Sequence, residues 1–221
     1  MARKRSFDEA AVLRAARDVF WTRGYEATSL DLLQAAMGLS RSSVYETFGS
    51  KRALFARVLD GYLAEVIDPR LAPLERPDAG LAALVAYFED LGGFLRQAPA
   101  ELAGRGCLLL NTATELAVLD DEAALVVESY RQRVAAVFLA VLTQAIRDGD
   151  LADGAESGGA ESGRAERGDS GSGSAGRRAD LLTAQVVGLF LTSRLSLPAA
   201  TALADAIATE IRSWRTPVKP R

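Results

Sequence analysis

A group of polar side chains between residues 41 and 51 has the chemistry needed to bind a nucleic acid. An arginine guanidinium can form two parallel hydrogen bonds with guanine, and serine or threonine hydroxyls reach base edges or phosphates. A lysine in the first turn of a helix can bind phosphate, because the helix N-terminus also attracts anions. The members of this group are Arg41, Ser42, Ser43, Tyr45, Thr47 and Lys51.

Two short helices joined by a glycine turn are predicted to position these side chains. Thr28 or Ser29 can cap the first helix with its hydroxyl. Gly38 stands where the chain must leave that helix, and glycine adopts the left-handed conformation without a side-chain clash. The apolar stripe predicted for the first helix consists of Leu30, Leu33 and Ala36.

The second helix is predicted to begin after Ser40, which is a favourable N-cap residue. Val44 and Phe48 are four residues apart and form its buried side, so the polar residues point outward. Ser50 resembles a third cap and places Lys51 in the first turn of a longer helix. On these residues alone, the short helices could instead pack as an ordinary part of a bundle.

The order of motifs around this turn resembles the TetR family of bacterial transcriptional regulators. A helical run from Phe7 to Arg23 precedes the turn, and the resemblance covers about the first sixty residues. Residues 106–111 and the helices after them are similar to one branch of the variable C-terminal domain of that family. The first resemblance is carried by Phe20, Gly24, Thr28-Ser29, Gly38-Leu39-Ser40, Val44-Tyr45, Phe48 and Ser50-Lys51.

The resemblance implies a homodimer that inserts one recognition helix per subunit into the major groove of a pseudo-palindromic double-stranded DNA operator. It also implies repression that a small-molecule effector relieves by binding in the C-terminal bundle. Tyr45 and Lys51 match phosphate contacts, and Arg41 and Ser43 are the best candidates for base contacts. The full set of candidate DNA contacts is Thr28, Ser29, Arg41, Ser42, Ser43, Tyr45, Thr47 and Lys51.

Three departures from the family pattern leave the operator sequence unpredictable. Gln34 stands where a small residue is common, and Ser42 replaces a frequent glycine. Glu46-Thr47 replaces a pair that is often aromatic or histidine. Phosphates would repel Glu46 unless it accepts a hydrogen bond from a cytosine amino group. The alternative is a helical ligand-binding or scaffold dimer that no longer binds DNA.

Charge is distributed unevenly along the chain. The whole chain has a net charge of −3, whereas residues 1–60 hold ten basic and seven acidic side chains, a net of +3 that leaves −6 for the rest. A positive N-terminal region on an acidic body keeps attraction for DNA local. Arg3-Lys4-Arg5 is either a flexible DNA-binding arm or a solvated tail.

Composition favours a helical regulator over other classes. No apolar run approaches the roughly twenty residues of a membrane span, and no signal-peptide pattern is seen. The chain has one cysteine and no histidine, so it lacks a disulfide framework and the commonest general base. We therefore expect no enzyme, no metal, no cofactor and no membrane partner, and a cytoplasmic, nucleoid-associated location.

The predicted fold is all-α, with a three-helix helix-turn-helix domain at 1–52 and a larger helical domain for ligand binding and dimerisation at 53–221. Residues 153–178 are rich in Gly, Ser, Glu and Arg and predict a disordered loop. About nine helices are expected in total. Those beyond the first three are predicted at 51–67, ended by Pro69, and at 80–97, 107–119, 120–147, 179–195 and 199–214, with Pro198 between the last two.

Asp120-Asp121-Glu122 opens the longest of these helices. Three consecutive acidic residues could bind a metal ion, but no histidine or cysteine stands nearby in sequence. Carboxylates in a first helical turn complement the helix dipole. The dipole interpretation is therefore favoured over a metal site.

The C-terminal domain supplies candidate regulatory residues. In the family, the last two helices form the dimer interface, and the matching stripes here are Leu182, Val186, Leu189, Phe190, Leu203, Ile207 and Ile211; they would otherwise belong to the monomer core. Asn111 and Glu115 would face a cavity or a polar network, and Cys107 is either an inert core residue or an electrophile and redox sensor with Arg105 nearby. The candidate ligand pocket comprises Phe88, Phe94, Leu95, Cys107, Leu110, Asn111, Thr114, Glu115, Tyr130, Phe138 and Arg194.

Overall fold

The computed structural model describes residues 7–116, 121–152 and 173–216, and these ranges are largely α-helical. A π-helical segment, Leu63–Ile67, lies between α4 and α5. The α-helices in chain order are α1 (Glu9–Arg23), α2 (Leu30–Met37), α3 (Arg41–Phe48), α4 (Lys51–Tyr62), α5 (Asp68–Leu71), α6 (Leu81–Gln97), α7 (Ala100–Ala103), α8 (Leu108–Leu116), α9 (Asp121–Arg147), α10 (Ser174–Leu195) and α11 (Leu197–Ser213).

The all-α prediction is confirmed. Nine of the α-helices in the described ranges have eight residues or more, and α5 and α7 are single turns of four. Pairing of the β type in these ranges is limited to one isolated antiparallel bridge between Leu151 and Arg215. None of the described helices is both long and apolar enough to cross a bilayer.

The chain divides into two compact units. The first contains Met1–Pro69 and Arg105–Ser129, and the second contains Arg70–Gly104 and Tyr130–Arg221. These units are defined by contacts between residues that lie close in space. They therefore differ from the functional division at residue 52, which stays a prediction. Helix α8 thus belongs to the same unit as the helix-turn-helix.

Aromatic rings lie at the centre of the first unit. The Phe20 ring on α1 meets the Phe55 ring on α4 edge-on, with centroids 4.8 Å apart. Both side chains are buried, and such pairs add about 0.5–1.5 kcal/mol beyond their buried area. Helix α1 packs against both α2 and α4. The cluster therefore fixes α1 and α4 against each other, and the short helices α2 and α3 pack on these two helices.

The second unit is built on a separate core. Helix α6 packs along α11, and α11 packs against α10. The Tyr87 and Phe138 rings meet edge-on with centroids 5.6 Å apart, and Phe88 lies 6.1 Å from Phe138. Phe88 and Phe138 are fully buried, so these two members of the predicted pocket belong to a packed core.

Helix boundaries near two prolines differ from prediction. Pro69 does not end the helical run, because α5 continues directly from the π-helical segment Leu63–Ile67. Pro198 lies inside the first turn of α11, after the Ser196 cap, where a missing N–H costs no intrahelical bond. Pro198 therefore marks a helix start, whereas Pro69 lies within a continuous helical run.

The predicted disordered loop at 153–178 is wrong at its C-terminal end. Residues 174–178 form the first turns of α10, where Ala175 and Ala179 are buried. The small side chains of Ala175 and Ala179 pack closely there. A sequence pattern based on large apolar residues does not detect such packing. Residues 153–172 lie outside the described ranges.

The apolar stripe predicted for α2 is also partly wrong. Leu33 and Met37 are buried, whereas Leu30 is half-buried and Ala36 is exposed. The buried residues Leu33 and Met37 are four residues apart. The buried side of α2 therefore passes through position 37 and not through position 36 as expected.

Most residues predicted for the dimer interface lie in the core of the protomer. Leu182, Val186, Leu189, Ile207 and Ile211 are at most 3% exposed, and Phe190 and Leu203 are half-buried. The correction has a simple cause: helix α10 is apolar on two sides, and the period of the helix does not say which side the protomer buries. The large apolar side chains that α10 exposes are Leu181, Val187, Leu191 and Leu195.

Candidate nucleic-acid interface

The turn between α2 and α3 has the predicted geometry. Ser29 caps α2, its Oγ accepting a hydrogen bond from the Leu32 amide at 3.3 Å. Gly38 follows with φ 65° and ψ 26°, the left-handed conformation, and Ser40 caps α3 by accepting from the Ser43 amide at 3.2 Å. The caps at these helix ends are therefore supplied by residues inside the motif.

Helix α3 has one buried and one exposed side. Val44 and Phe48 are buried at 1% and 6% exposure, as predicted. The opposite side carries the candidate DNA contacts: Arg41, Ser42 and Tyr45 are exposed, and Ser43 and Thr47 are half-buried, with Glu46 exposed beside them.

Local contacts organise the exposed side of α3. The Arg41 guanidinium lies 5.9 Å from the centroid of the Tyr45 ring, which is within cation–π range. The Ser40 hydroxyl hydrogen-bonds the hydroxyls of Ser42 and Ser43 at 2.9 and 3.0 Å. The first turn of α3 therefore presents one cation among several hydroxyls.

The start of α4 adds a second cation. Ser50 caps α4 by accepting from the Ala53 amide at 3.0 Å, as predicted. Lys51 Nζ lies 4.2 Å from the centroid of the Tyr25 ring. Burial lowers the pKa of Lys51, while the nearby carboxylates of Glu26 and Glu115 act in the opposite direction. Tyr25 is a member of the site that the sequence did not single out.

Other basic side chains of the first unit are held in ion pairs. Arg14 and Arg17 both reach Glu65, at 3.2 and 2.7 Å. Arg57 pairs with Glu9 at 2.5 Å. Arg41 and Lys51 instead lie over aromatic rings, so these two cations are held differently from the ion-paired arginines.

Thr28 is a correction to the predicted DNA contacts. Its side chain is 1% exposed, and its hydroxyl donates a 2.6 Å hydrogen bond to the Gly24 carbonyl. The hydroxyl closes the turn before α2 and is not available to DNA. Ser29, by contrast, is exposed at the N-terminus of α2.

The predicted ligand-pocket residues divide between the two compact units. Cys107, Leu110, Asn111, Thr114 and Glu115 belong to the first unit, and the other six belong to the second. Of those six, Phe88, Leu95, Tyr130 and Phe138 are buried, Phe94 is half-buried and Arg194 is exposed. A shared pocket for this set stays a prediction.

Asn111 and Glu115 make polar contacts with backbone groups. Asn111 Nδ2 donates to the Arg105 carbonyl at 2.9 Å, and Glu115 accepts from the Tyr25 amide at 2.8 Å. Of the two predicted environments, the structure thus shows a polar network around these side chains.

The Cys107 thiol is 1% exposed, and its Sγ accepts a hydrogen bond from the Tyr62 hydroxyl at 3.6 Å. The neighbouring Arg105 pairs with Asp18 at 3.2 Å and lies over the Trp21 ring. Burial is the usual condition of an inert cysteine. A sensing role stays a prediction that thiol labelling of the native protein would test.

The second unit contains a groove that the sequence did not indicate. It has a volume of about 530 Å³ and runs between α9 and the segment before α6. Its lining includes the apolar residues Ala136, Val137 and Ala140. Arg133 also lines it and pairs with Glu75.

A capped helix that displays hydroxyls and a guanidinium, fixed from behind by a glycine turn, is the arrangement of helix-turn-helix DNA-binding proteins. Residues 12–58 match the sequence profile of bacterial regulatory proteins of the tetR family. The chain is 32% identical over 151 residues to the uncharacterized HTH-type transcriptional regulator YezE of Bacillus subtilis (strain 168), a match that covers 68% of this chain and 76% of that protein. The chain belongs to the TetR family and is a transcriptional regulator.

Further similarities agree with this assignment. The chain is 34% identical over 117 residues to the HTH-type transcriptional repressor ComR of Escherichia coli (strain K12), a match covering 52% of this chain and 53% of ComR. A cysteine mutant of the TetR family regulator CifR, solved in complex with 26-bp operator DNA, has a TM-score of 0.73 at 24% identity and covers 96% of this chain and 100% of that one. The likeness to CifR, at 24% identity, concerns the fold alone.

Proposed function

We propose that the protein binds a pseudo-palindromic operator as a homodimer and represses transcription from it until a small-molecule effector releases it. The observation that supports this most directly is the exposed side of α3, where Arg41 and Ser42 face solvent while Val44 and Phe48 anchor the helix. Arg41 and Ser43 would contact bases, and Tyr45 and Lys51 would contact phosphates.

Dimerisation is proposed through α10. Leu181, Leu191 and Leu195 are 65%, 61% and 82% exposed. The helical period places these three leucines on one side of α10. A surface of this kind on a single chain indicates a protein partner. A second copy is favoured because one recognition helix contacts too few base pairs for useful specificity.

Effector release would follow from a shift between two conformations of the dimer. In one conformation the spacing of the two α3 helices would fit the operator, and in the other it would not. A ligand that binds the second conformation more tightly would weaken operator binding, and its difference in affinity for the two conformations sets the size of the effect. Because the related proteins are regulators and the sequence has no histidine, the proposal includes no catalytic step. A regulator of this kind would act at the nucleoid in the cytoplasm.

The direct test is selection of duplexes from a random-sequence library by the full-length protein. We expect enrichment of a two-fold symmetric site whose half-sites are about one helical turn apart, or somewhat more. Sedimentation of the complex should show at least two chains per duplex. Absence of enrichment at low ionic strength would favour the scaffold alternative. A reporter gene placed behind the selected site then distinguishes repression from activation.

A further inference from the structure

A carboxylate from α8 occupies the turn that leads into the helix-turn-helix. Helix α1 ends at Arg23, and the Gly24 amide still donates to the Phe20 carbonyl of that helix. The amides of Tyr25 and Glu26 follow the helix and need acceptors of their own. Glu115 Oε2 accepts from the Tyr25 amide at 2.8 Å and lies 3.4 Å from the Glu26 amide. These partners are 90 and 89 residues apart in sequence.

Gly24 makes room for this carboxylate. Its φ of 81° is one that other residues rarely adopt. A Cβ at this position would also lie 2.7 Å from the carboxyl carbon of Glu115, which is closer than real Cβ contacts. The positive φ therefore favours glycine at this position, and a larger residue there would displace the Glu115 carboxylate from the turn.

Tyr25 connects this carboxylate to Lys51. Its amide is bound by Glu115, and its ring lies under the Lys51 ammonium at 4.2 Å. The ring also contacts Phe55, with centroids 5.0 Å apart. Tyr25 is thus fixed at its backbone and at its ring, and Lys51 is placed on it at the first turn of α4.

We infer that Glu115 is a positioning residue for DNA binding, which acts by holding the 24–26 turn so that Tyr25 presents Lys51 to a phosphate. The inference rests on the proposed DNA-binding function. In this inference, the Glu115 carboxylate of α8 sets the geometry of the 24–26 turn, and Gly24 provides the space that the carboxylate occupies.

The sign of the effect on DNA affinity separates positioning from simple charge. Removing a negative charge near DNA raises affinity if only long-range electrostatics matter. Positioning predicts the reverse for Glu115→Ala, a loss on the order of tenfold, because the turn amides and Lys51 lose their support. Glu26→Gln is the matched control: it removes a neighbouring exposed charge and leaves the turn contacts, so its affinity stays equal or rises.

The experiment is fluorescence anisotropy of the full-length protein on the duplex selected from the random library, between about 50 and 200 mM salt. Glu115→Ala should lower the salt slope by about one, as Lys51→Ala does, and the double variant should lose little more than either single one. Glu115→Gln, whose amide oxygen can still accept from Tyr25, should retain most of the affinity. An unchanged slope with additive losses would mean a general stabilising role and overturn the inference.

A DNA-free measurement keeps the inference separate from the proposed function. In the wild-type protein the Tyr25 amide should be protected from hydrogen exchange, and Glu115→Ala should remove that protection and lower the pKa of Lys51. Protection without any DNA binding would support the contact while the proposed function fails. An unprotected Tyr25 amide in the wild type would overturn the inference whether or not the protein binds DNA.

Discussion

Helices α3 and α10 expose opposite kinds of surface. Helix α3 has eight residues, two of them buried, and its free side carries hydroxyls and a guanidinium. Helix α10 has 22 residues, buries one apolar side and exposes leucines on another. A polar free side suits a hydrated, charged partner such as DNA, whereas exposed leucines gain free energy only when another apolar surface covers them. The two helices thus indicate two different partners.

The largest expected effect separates the two apolar sides of α10. Leu189 is fully buried. Leu189→Ala should therefore lower the free energy of unfolding by about 2–5 kcal/mol, because its truncation leaves a cavity. Leu191→Ala, two residues further on and 61% exposed, should change the stability of the protomer little. Denaturant unfolding at several protein concentrations measures both.

The same pair of variants tests the dimer surface. Leu191→Ala should shift the monomer–dimer equilibrium towards monomer in sedimentation experiments, whereas folded Leu189→Ala should dimerise as the wild type does. If Leu191→Ala dimerises unchanged and Leu189→Ala does not, the assignment of the two sides of α10 is reversed.

On α3, Arg41→Ala should weaken binding to the selected operator by about 1–3 kcal/mol and relax specificity at one base pair. Arg41 is exposed at the first turn of α3 and does not support the core. Competition between operator and scrambled duplexes is the measurement. Equal losses on both duplexes would make Arg41 a phosphate contact.

Lys51→Ala should have a smaller effect that is uniform over sequences. Removal of one phosphate contact lowers the salt slope by about one and weakens binding to operator and scrambled DNA alike. Thr28→Val serves as a comparison: its hydroxyl bonds the Gly24 carbonyl, so any effect should appear in stability and leave the salt slope unchanged. A lower slope for Thr28→Val would restore it as a DNA contact.

The smallest expected effect comes from the cap of α3. The Ser40 Oγ caps the Ser43 amide, so Ser40→Ala should cost about 1 kcal/mol of stability. Ser42→Ala, on the exposed side of the same turn, is the control and should cost less. Thermal unfolding of both variants decides, and a larger loss for Ser42→Ala would contradict the capping role.

The local geometry of the helix-turn-helix follows from neighbouring residues. The caps at Ser29, Ser40 and Ser50 and the left-handed Gly38 were predictable, because a capping hydroxyl and the amide it accepts from are close neighbours in sequence. The exposure of Arg41 followed in the same way from the spacing of its buried neighbours. No distant contact is needed for these features.

Long-range features required the folded chain. The hydrogen bond from the Tyr25 amide to Glu115 joins residues 90 positions apart, and no local pattern encodes it. Thr28 was mistaken for a DNA contact for a different reason. Its hydrogen bond to the Gly24 carbonyl spans only four residues, but its 1% exposure depends on tertiary packing that the local sequence does not show.

The amino-acid sequence alone determined the helical periods, the caps and the family to which this regulator belongs. Tertiary packing decided which side of α10 enters the core, because a helix that is apolar on two sides has no intrinsic preference between them. Packing also brought Glu115 onto the 24–26 turn, where the entropy of closing so long a loop is offset by burial elsewhere in the unit.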